Sequence, residues 1–272
     1  MKTHIIGMGV VGQAMFNSVK SIRLDDVTCY DIDPMFKTFT DTTSIGNRDD
    51  VFICVDTPTN LVGIQDASKV TDLLDILVNS EHNGLVMIKS TILYMNIKKY
   101  IDKLKLVMVP EFLEAVSSSY NFAHSLKLIL GGKYSRQAYE LHINLFNFVE
   151  GNPDPMYCTI KEAIDFKYTR NLLQAYNVLF WEGIQLISGN ANKMASMMHE
   201  IPANINSQIS KDGYKGFGQS LEKDSKDFSA CLDKDLSAIK KQNPNPMLTY
   251  MSDFNHGLMW WMRRWMRRWK MK

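Results

Sequence analysis

Short, near-continuous apolar runs recur through the first half of the chain, at residues 4–8, 27–30, 51–55, 85–89, 105–109 and 127–130. Runs of this length without a polar face predict strands covered on both sides. The first run leads at once into a helical stretch reaching about Lys20, and Ala67 to Val78 also has helical spacing. Strands alternating with helices predict crossover connections and a parallel sheet. The pattern changes after residue 160. Between 161 and 187 there is no proline, and no glycine before Gly183. Ile164, Tyr168, Leu172, Tyr176, Phe180 and Ile184 recur every fourth residue, with Leu173, Leu179 and Ile187 beside them. This is a long amphipathic helix with a broad apolar stripe. Residues 188–212 read as a short helix and a loop, with Met194, Met197 and Met198 as core filler. Residues 225–241 read as a polar helix that Pro244 and Pro246 break. The expected class is α/β: a doubly wound parallel sheet over 1–150, a helical domain with a long central helix over 151–245, and a tail over 246–272.

The junction of the first strand and helix carries Gly7-Met8-Gly9-Val10-Val11-Gly12. G-x-G-x-x-G between a strand and a helix fits a dinucleotide pyrophosphate. Gly7 permits the tight turn, Gly9 lets the phosphates approach the backbone, and Gly12 lets helix and strand pack closely. The helix start, with Val10 and Val11, turns free N–H groups and the positive dipole end toward the phosphates. Asp31 ends the second strand 19 residues after Gly12. An acid there hydrogen-bonds the ribose hydroxyls and repels a 2′-phosphate, so NAD is expected over NADP. Asp33 reads as a turn residue before Pro34. Further contacts are expected where strands end, at Asp56-Thr57-Pro58-Thr59, Ser90-Thr91 and Pro110-Glu111. Taken singly, each also reads as a capped loop. Lys167 and Asn171 are four apart and share a face of the long helix; on spacing alone they also read as a solvated lysine and an exposed amide.

Composition adds mainly exclusions. At 45% hydrophobic and 22% charged residues, the chain is an ordinary globular protein. Its net charge of +2 conceals an asymmetry. Without Arg263, Arg264, Arg267, Arg268, Lys270 and Lys272, Lys plus Arg falls from 31 to 25 against 29 acids, a balance of −4. A mildly acidic body excludes a nucleic-acid binder. Cys29, Cys54, Cys158 and Cys231 show no paired or metal-ligand spacing, so no metal site is expected. Cys29 and Cys54 read as small buried hydrophobes. With no signal peptide and no apolar run near 18 residues, a reducing cytoplasm is the expected compartment.

A glycine-rich segment, Gly213 to Gly218, runs on through Ser220 into Lys223-Asp224. Together with Gly7–Gly12, Asp31–Asp33, Val55–Thr59, Lys89–Ile92, Pro110–Leu113, Gly131-Gly132 and Lys167/Asn171, it resembles the UDP-glucose/GDP-mannose dehydrogenase family. The UDP-glucose 6-dehydrogenase branch fits best, and the resemblance covers residues 1 to about 240. It implies a Rossmann domain, then a helical domain whose long helix forms a homodimer core, with the chain ending before the family's C-terminal UDP-binding domain. It also implies oxidation of the C6 alcohol of a nucleotide sugar, UDP-glucose first among candidates, with two NAD per sugar. Lys167 would stabilise the developing oxyanion. Asn171 and Asp224 would position the water or hydroxyl, Glu111 would assist hydrolysis, Thr91 would hold the nicotinamide end, and Thr57 would join the cofactor contacts.

The chain departs from the family pattern at telling positions. Ser220 occupies the place of the nucleophilic cysteine, which would trap the aldehyde as a covalent intermediate before its hydrolysis. A hydroxyl is a far poorer nucleophile without an activating base, and no histidine lies near it in sequence. Ala115 stands where a second glutamate is usual. A second reading therefore stands beside the first: a relative that binds NAD and nucleotide sugar but is inactive or stops at the aldehyde. Finally, Trp261, Trp265 and Trp269 recur every fourth residue among arginines. As a helix, the tail over 260–272 is a cationic amphipath suited to weak contact with an anionic membrane or a partner. Packing on a partner subunit is the plainer account.

Overall fold

The computed structural model describes residues 2–36, 42–60, 63–113 and 117–200, together with 238 and 241. They fall into two compact units, Met1–Pro58 with Gln65–Lys167, and Thr59–Ile64 with Tyr168–Lys272.

The first unit is built on a seven-stranded sheet. Its strands are β1 (Thr3–Ile6), β2 (Val27–Tyr30), β3 (Asp50–Ile53), β4 (Leu85–Ile88), β5 (Lys105–Met108), β6 (Lys127–Gly131) and β7 (Asp154–Cys158). They lie in the order β2-β1-β3-β4-β5-β6-β7. All neighbours are parallel except β5 and β6, which meet antiparallel at Met108 and Gly131. The doubly wound parallel sheet is thus present with one reversal the apolar runs did not foretell. The seventh strand was not expected either. Asp154-Pro155-Met156-Tyr157-Cys158 has an internal proline and no fully buried residue, both permitted because it lies at an edge.

Strand side chains alternate between two faces. Ile5, Cys29, Phe52, Met87, Val107 and Leu130 join one core with Met15 of α1 (Val10–Asn17), Phe122 of α4 (Ser118–Ala123) and Ala138 and Leu145 of α5 (Ser135–Leu145). The intervening Ile6, Ile53, Ile88 and Met108 are equally buried, which is why these strands read as unbroken apolar runs. Helix α2 (Ser68–Asn79) buries Val70, Leu73, Leu74 and Leu77 as a helical stripe. Tyr100 follows the short α3 (Tyr94–Ile97) and ties onto α2 through Thr71 O at 3.2 Å and Asp75 at 2.9 Å.

Three histidines are buried in this unit, His4, His82 and His142. His142 is fully enclosed, donates its Nδ1–H to Ala138 O at 2.7 Å, and packs edge-on to Phe52. Burial holds its imidazole well below the usual histidine range, and the nearby Lys89 charge pushes the same way. Burial lowers His82 as well. A depressed histidine is neutral when folded but takes a proton at its ordinary 6.5 when unfolded. Its contribution to stability is therefore complete above that pH and lost as pH falls below it. For His142 the slope is up to about 1.4 kcal/mol per pH unit. Urea unfolding at pH 7 and pH 5 should show a large acid loss, and His142→Phe should shrink it. An equal loss in both proteins would contradict the assignment.

Helix α6 (Ile160–Ser188) matches the expected 161–187. Thr159 and Glu162 form a reciprocal cap at its start: Glu162 accepts from Thr159 N and Oγ1 at 2.8 Å, and Thr159 Oγ1 accepts from Glu162 N at 3.2 Å. In the second unit, Tyr168, Asn171 and Ala175 are its buried face. Trp181 packs with Ala191 and Ala195 of α7 (Ala191–Glu200), the short helix expected after 188. No helix among the described residues is long and apolar enough to cross a membrane.

Candidate active site

Sheet order reverses between β1 and β3, and ligands in such sheets bind beyond the carboxyl ends of the strands at that reversal. The register brings the relevant loops out side by side. Ile6 pairs with Tyr30 on one side and Ile53 on the other. Gly7, Asp31 and Cys54 therefore leave the sheet together.

The three glycines differ physically. Gly7 has φ +93°, and a Cβ there would lie 2.7 Å from Val55 N. Its own N–H donates to Tyr30 O at 2.8 Å, so the turn is held from both flanks. A Cβ on Gly12 would lie 2.0 Å from the Gly7 carbonyl oxygen. A Cβ on Gly9 would meet nothing within 4 Å. Only at Gly9 does the turn offer open backbone. Beside it, Asp31 accepts the Met8 N–H through Oδ2 at 2.6 Å and the Asp33 N–H through Oδ1 at 3.0 Å. Asp33 in turn caps Met35 N at 3.0 Å, as a turn residue before proline does. Helix α1 is shorter than expected, ending at Asn17, because the chain leaves it to bridge Val19 to Phe146. Val10, at its first position, is exposed.

Thr57 and Thr91 are brought together. Thr57 is buried and donates its hydroxyl to Thr91 O at 2.5 Å. Gln65, which the sequence reading passed over, knots the same loops: Nε2 donates to Thr91 O at 3.1 Å, and Oε1 accepts from Leu93 N at 3.0 Å and Asn96 Nδ2 at 3.1 Å. Ser90 Oγ adds a bond to Val55 O at 2.5 Å. The loops after β3 and β4 are thereby one rigid piece.

The loop after β5 carries the most charge. Lys89 and Glu111 form a buried ion pair, with the lysine side chain fully inaccessible. Lys167 Nζ donates to Glu111 O at 2.6 Å and lies 5.2 Å from the Phe112 ring centroid. Glu111, Phe112, Leu113, Asn121 and Ser125 line a small cavity of about 50 Å³. Glu111 and Lys167 were expected in the site; Lys89 was read as a strand end and as part of the family-like Lys89–Ile92 segment, with no role of its own. Cys54, partly buried against Met15, has its thiol pushed up to about 12 by apolar surroundings, with Lys89 pulling the other way. It is an inert packing residue, as the sequence suggested. Asn171 is buried in the second unit. Ala115, Ser220, Asp224, Cys231 and the tail over 260–272 lie outside the described residues.

Residues 34–149 match the family model described as the NAD binding domain of the UDP-glucose/GDP-mannose dehydrogenase family. Over that stretch the chain is similar to the NAD binding domain of that family. Solved structures agree on the fold. A UDP-glucose dehydrogenase from the hyperthermophilic archaeon Pyrobaculum islandicum superposes with TM-score 0.70 at 17% identity, over 97% of this chain and 68% of that one. A UDP-D-ManNAc dehydrogenase from Pyrococcus horikoshii gives 0.68 at 16% identity, over 95% and 69%. The 3-hydroxyisobutyrate dehydrogenase of Mycobacterium tuberculosis also gives 0.68, at 11% identity, over 93% and 91%. No curated protein sequence matches the chain. The glycine turn fits a dinucleotide: a Cβ at Gly9 would meet nothing within 4 Å, so the backbone there is open to a group such as a pyrophosphate, and a side chain would fill that space.

Proposed function

We propose that this protein is an NAD-dependent oxidoreductase acting on the C6 alcohol of a nucleotide sugar, with UDP-glucose oxidised to UDP-glucuronate as the first candidate. The observation that carries it is the pairing, within one unit, of the open Gly9 turn with the Glu111–Lys167 cluster at the crevice. Gly7, Gly9, Val10, Val11 and Gly12 hold the pyrophosphate, and Asp31 takes the adenosine ribose. Thr57 and Thr91 brace the loop beneath the nicotinamide. NAD, when bound, accepts the hydride. Lys167 offers an ammonium to the oxyanion that develops as the alcohol loses its proton. Asn171, one helical turn on, and Asp224 orient the hydroxyl or water, and Glu111 directs water in the hydrolytic step. Full oxidation passes two hydrides to two NAD and consumes one water.

Ser220 favours the second reading, a relative that binds the cofactor and sugar without completing the reaction. NADH yield per UDP-glucose separates them: two supports the full reaction, one an arrest at the aldehyde, none a binding protein. Lys167→Ala should lower kcat about 100-fold; an unchanged rate would contradict its role. GDP-mannose, UDP-ManNAc and 3-hydroxyisobutyrate belong in the same panel. Turnover of the hydroxy acid alone would overturn the nucleotide-sugar reading.

The same reading includes a homodimer through α6, which leaves Phe166, Leu173 and Tyr176 exposed on its surface, residence in the cytoplasm, and weak membrane or partner contact by the tail.

A further inference from the structure

Lys89 is the least expected residue of the site. It follows β4 directly, and by strand alternation it points to the same face as Met87, into the core beneath α4 and α5. Its side chain is fully buried, its ammonium lies 5.6 Å from the Phe122 ring centroid, and its charge is felt by Cys54 and His142. Burial keeps His142 neutral. Among the described residues, Glu111 is the one acid within ion-pairing distance of Lys89.

Stability alone does not call for this arrangement. Buried ion pairs seldom outdo a well-packed apolar pair, because desolvation cancels the attraction. What the pair does, and an apolar pair cannot, is fix a carboxylate at the rim of the crevice. Lys89 engages Oε1 of Glu111, and among the described residues no donor takes Oε2. Lys167 meanwhile holds the Glu111 peptide through its carbonyl. Side chain and backbone of Glu111 are thus pinned by two separate lysines, one from the sheet and one from α6.

We infer that Lys89 is a positioning residue, which holds the Glu111 carboxylate in place with Oε2 left to direct a water. The inference rests on the nucleotide-sugar reaction proposed above. Its test is a four-protein cycle on the full chain: wild type, Lys89→Met, Glu111→Gln and the double variant, assayed for NADH production from UDP-glucose and for NAD binding by tryptophan fluorescence. Lys89→Met should lose at least about tenfold in kcat, since small misplacements of a catalytic group are costly. KM for NAD and NAD affinity should stay within about two-fold, which a general structural lesion would not allow. In the Glu111→Gln background the same change should leave kcat nearly unaltered, because the group it acts through is gone. Should Lys89→Met fail to fold, the double variant, which carries no unpaired charge, decides alone: a kcat equal to that of Glu111→Gln supports the role. A further tenfold loss there, or an unchanged rate in Lys89→Met, would overturn it. A wild type that yields no NADH removes the proposed reaction itself and this inference with it. A wild type that turns over regardless of Lys89 removes the inference only.

Discussion

Gly12→Val should abolish NAD binding and destabilise the protein, whereas Gly9→Ala should weaken binding and leave stability intact. The contrast follows from where each new Cβ would go. At Gly12 it would lie 2.0 Å from the Gly7 carbonyl oxygen and 3.0 Å from the Gly7 carbonyl carbon. That contact is backbone on backbone. Gly7 cannot retreat, because it sits at φ +93° with its N–H bonded to Tyr30 O and the Cys54–Val55 peptide directly behind it. The helix must shift instead, at a cost on the order of 3 kcal/mol. At Gly9 nothing lies within 4 Å, so the fold has no reason to object. The methyl would instead occupy the surface that the pyrophosphate needs. Thermal unfolding with and without NAD reads both effects, since a ligand that binds only the native state raises the midpoint. Gly12→Val should unfold earlier and show no NAD-induced rise. Gly9→Ala should unfold like wild type and show a reduced rise. A full rise in Gly9→Ala would mean that the cofactor does not approach there.

These glycines also mark how far the chain could be read without coordinates. Their separate roles were legible because turn, approach and packing each demand the absence of a side chain for a different reason. The sheet was legible for a related reason: strands buried on both faces cannot hide, and Ile5-Ile6, Val51-Phe52-Ile53 and Val86-Met87-Ile88 are apolar without interruption. The edge strand β7 was not. A strand exposed on one side keeps a proline and polar ends, and its residues match those of a loop. The reversal between β5 and β6 was equally hidden, since an apolar run carries no sign of its direction. The α6 cap left a signal in Thr159 and Glu162, three residues apart, that was not among the expectations.

Within the site, residues tied to the backbone were easier to foresee than residues tied to one another. Asp31 falls at a fixed distance from the glycine turn, and the structure has it bonded to that turn at Met8. Gln65 and Lys89 act across 26 and 22 residues of sequence, and no spacing rule reaches that far. Lys89 left one trace: a lysine closing a run of apolar core positions. An amine in such a place needs a buried partner, and that requirement, followed through, points to an acid on a neighbouring strand end. Pro110-Glu111 was already marked there.

Breaking the Lys89–Glu111 pair from one side should cost far more than removing it whole. The lysine side chain is inaccessible and the glutamate nearly so. Either single change leaves an ionisable group in the core without its counterpart, a loss typically of about 3–5 kcal/mol. For a chain of this size that lowers the unfolding midpoint by on the order of 10 °C. Lys89→Met is the harsher change, because a methionine offers the Glu111 carboxylate no donor. Glu111→Gln is milder, since the amide oxygen still accepts from the ammonium. The double variant Lys89→Met/Glu111→Gln should return most of the way to wild-type stability: the thioether fills the lysine's channel beside Phe122, and no charge remains to be solvated. Urea unfolding of the four proteins measures the coupling directly. A double variant as unstable as the sum of the singles would show that the two side chains do not depend on each other. A double variant at or above wild-type stability but without turnover would show a pair kept for the chemistry at the crevice rather than for the fold.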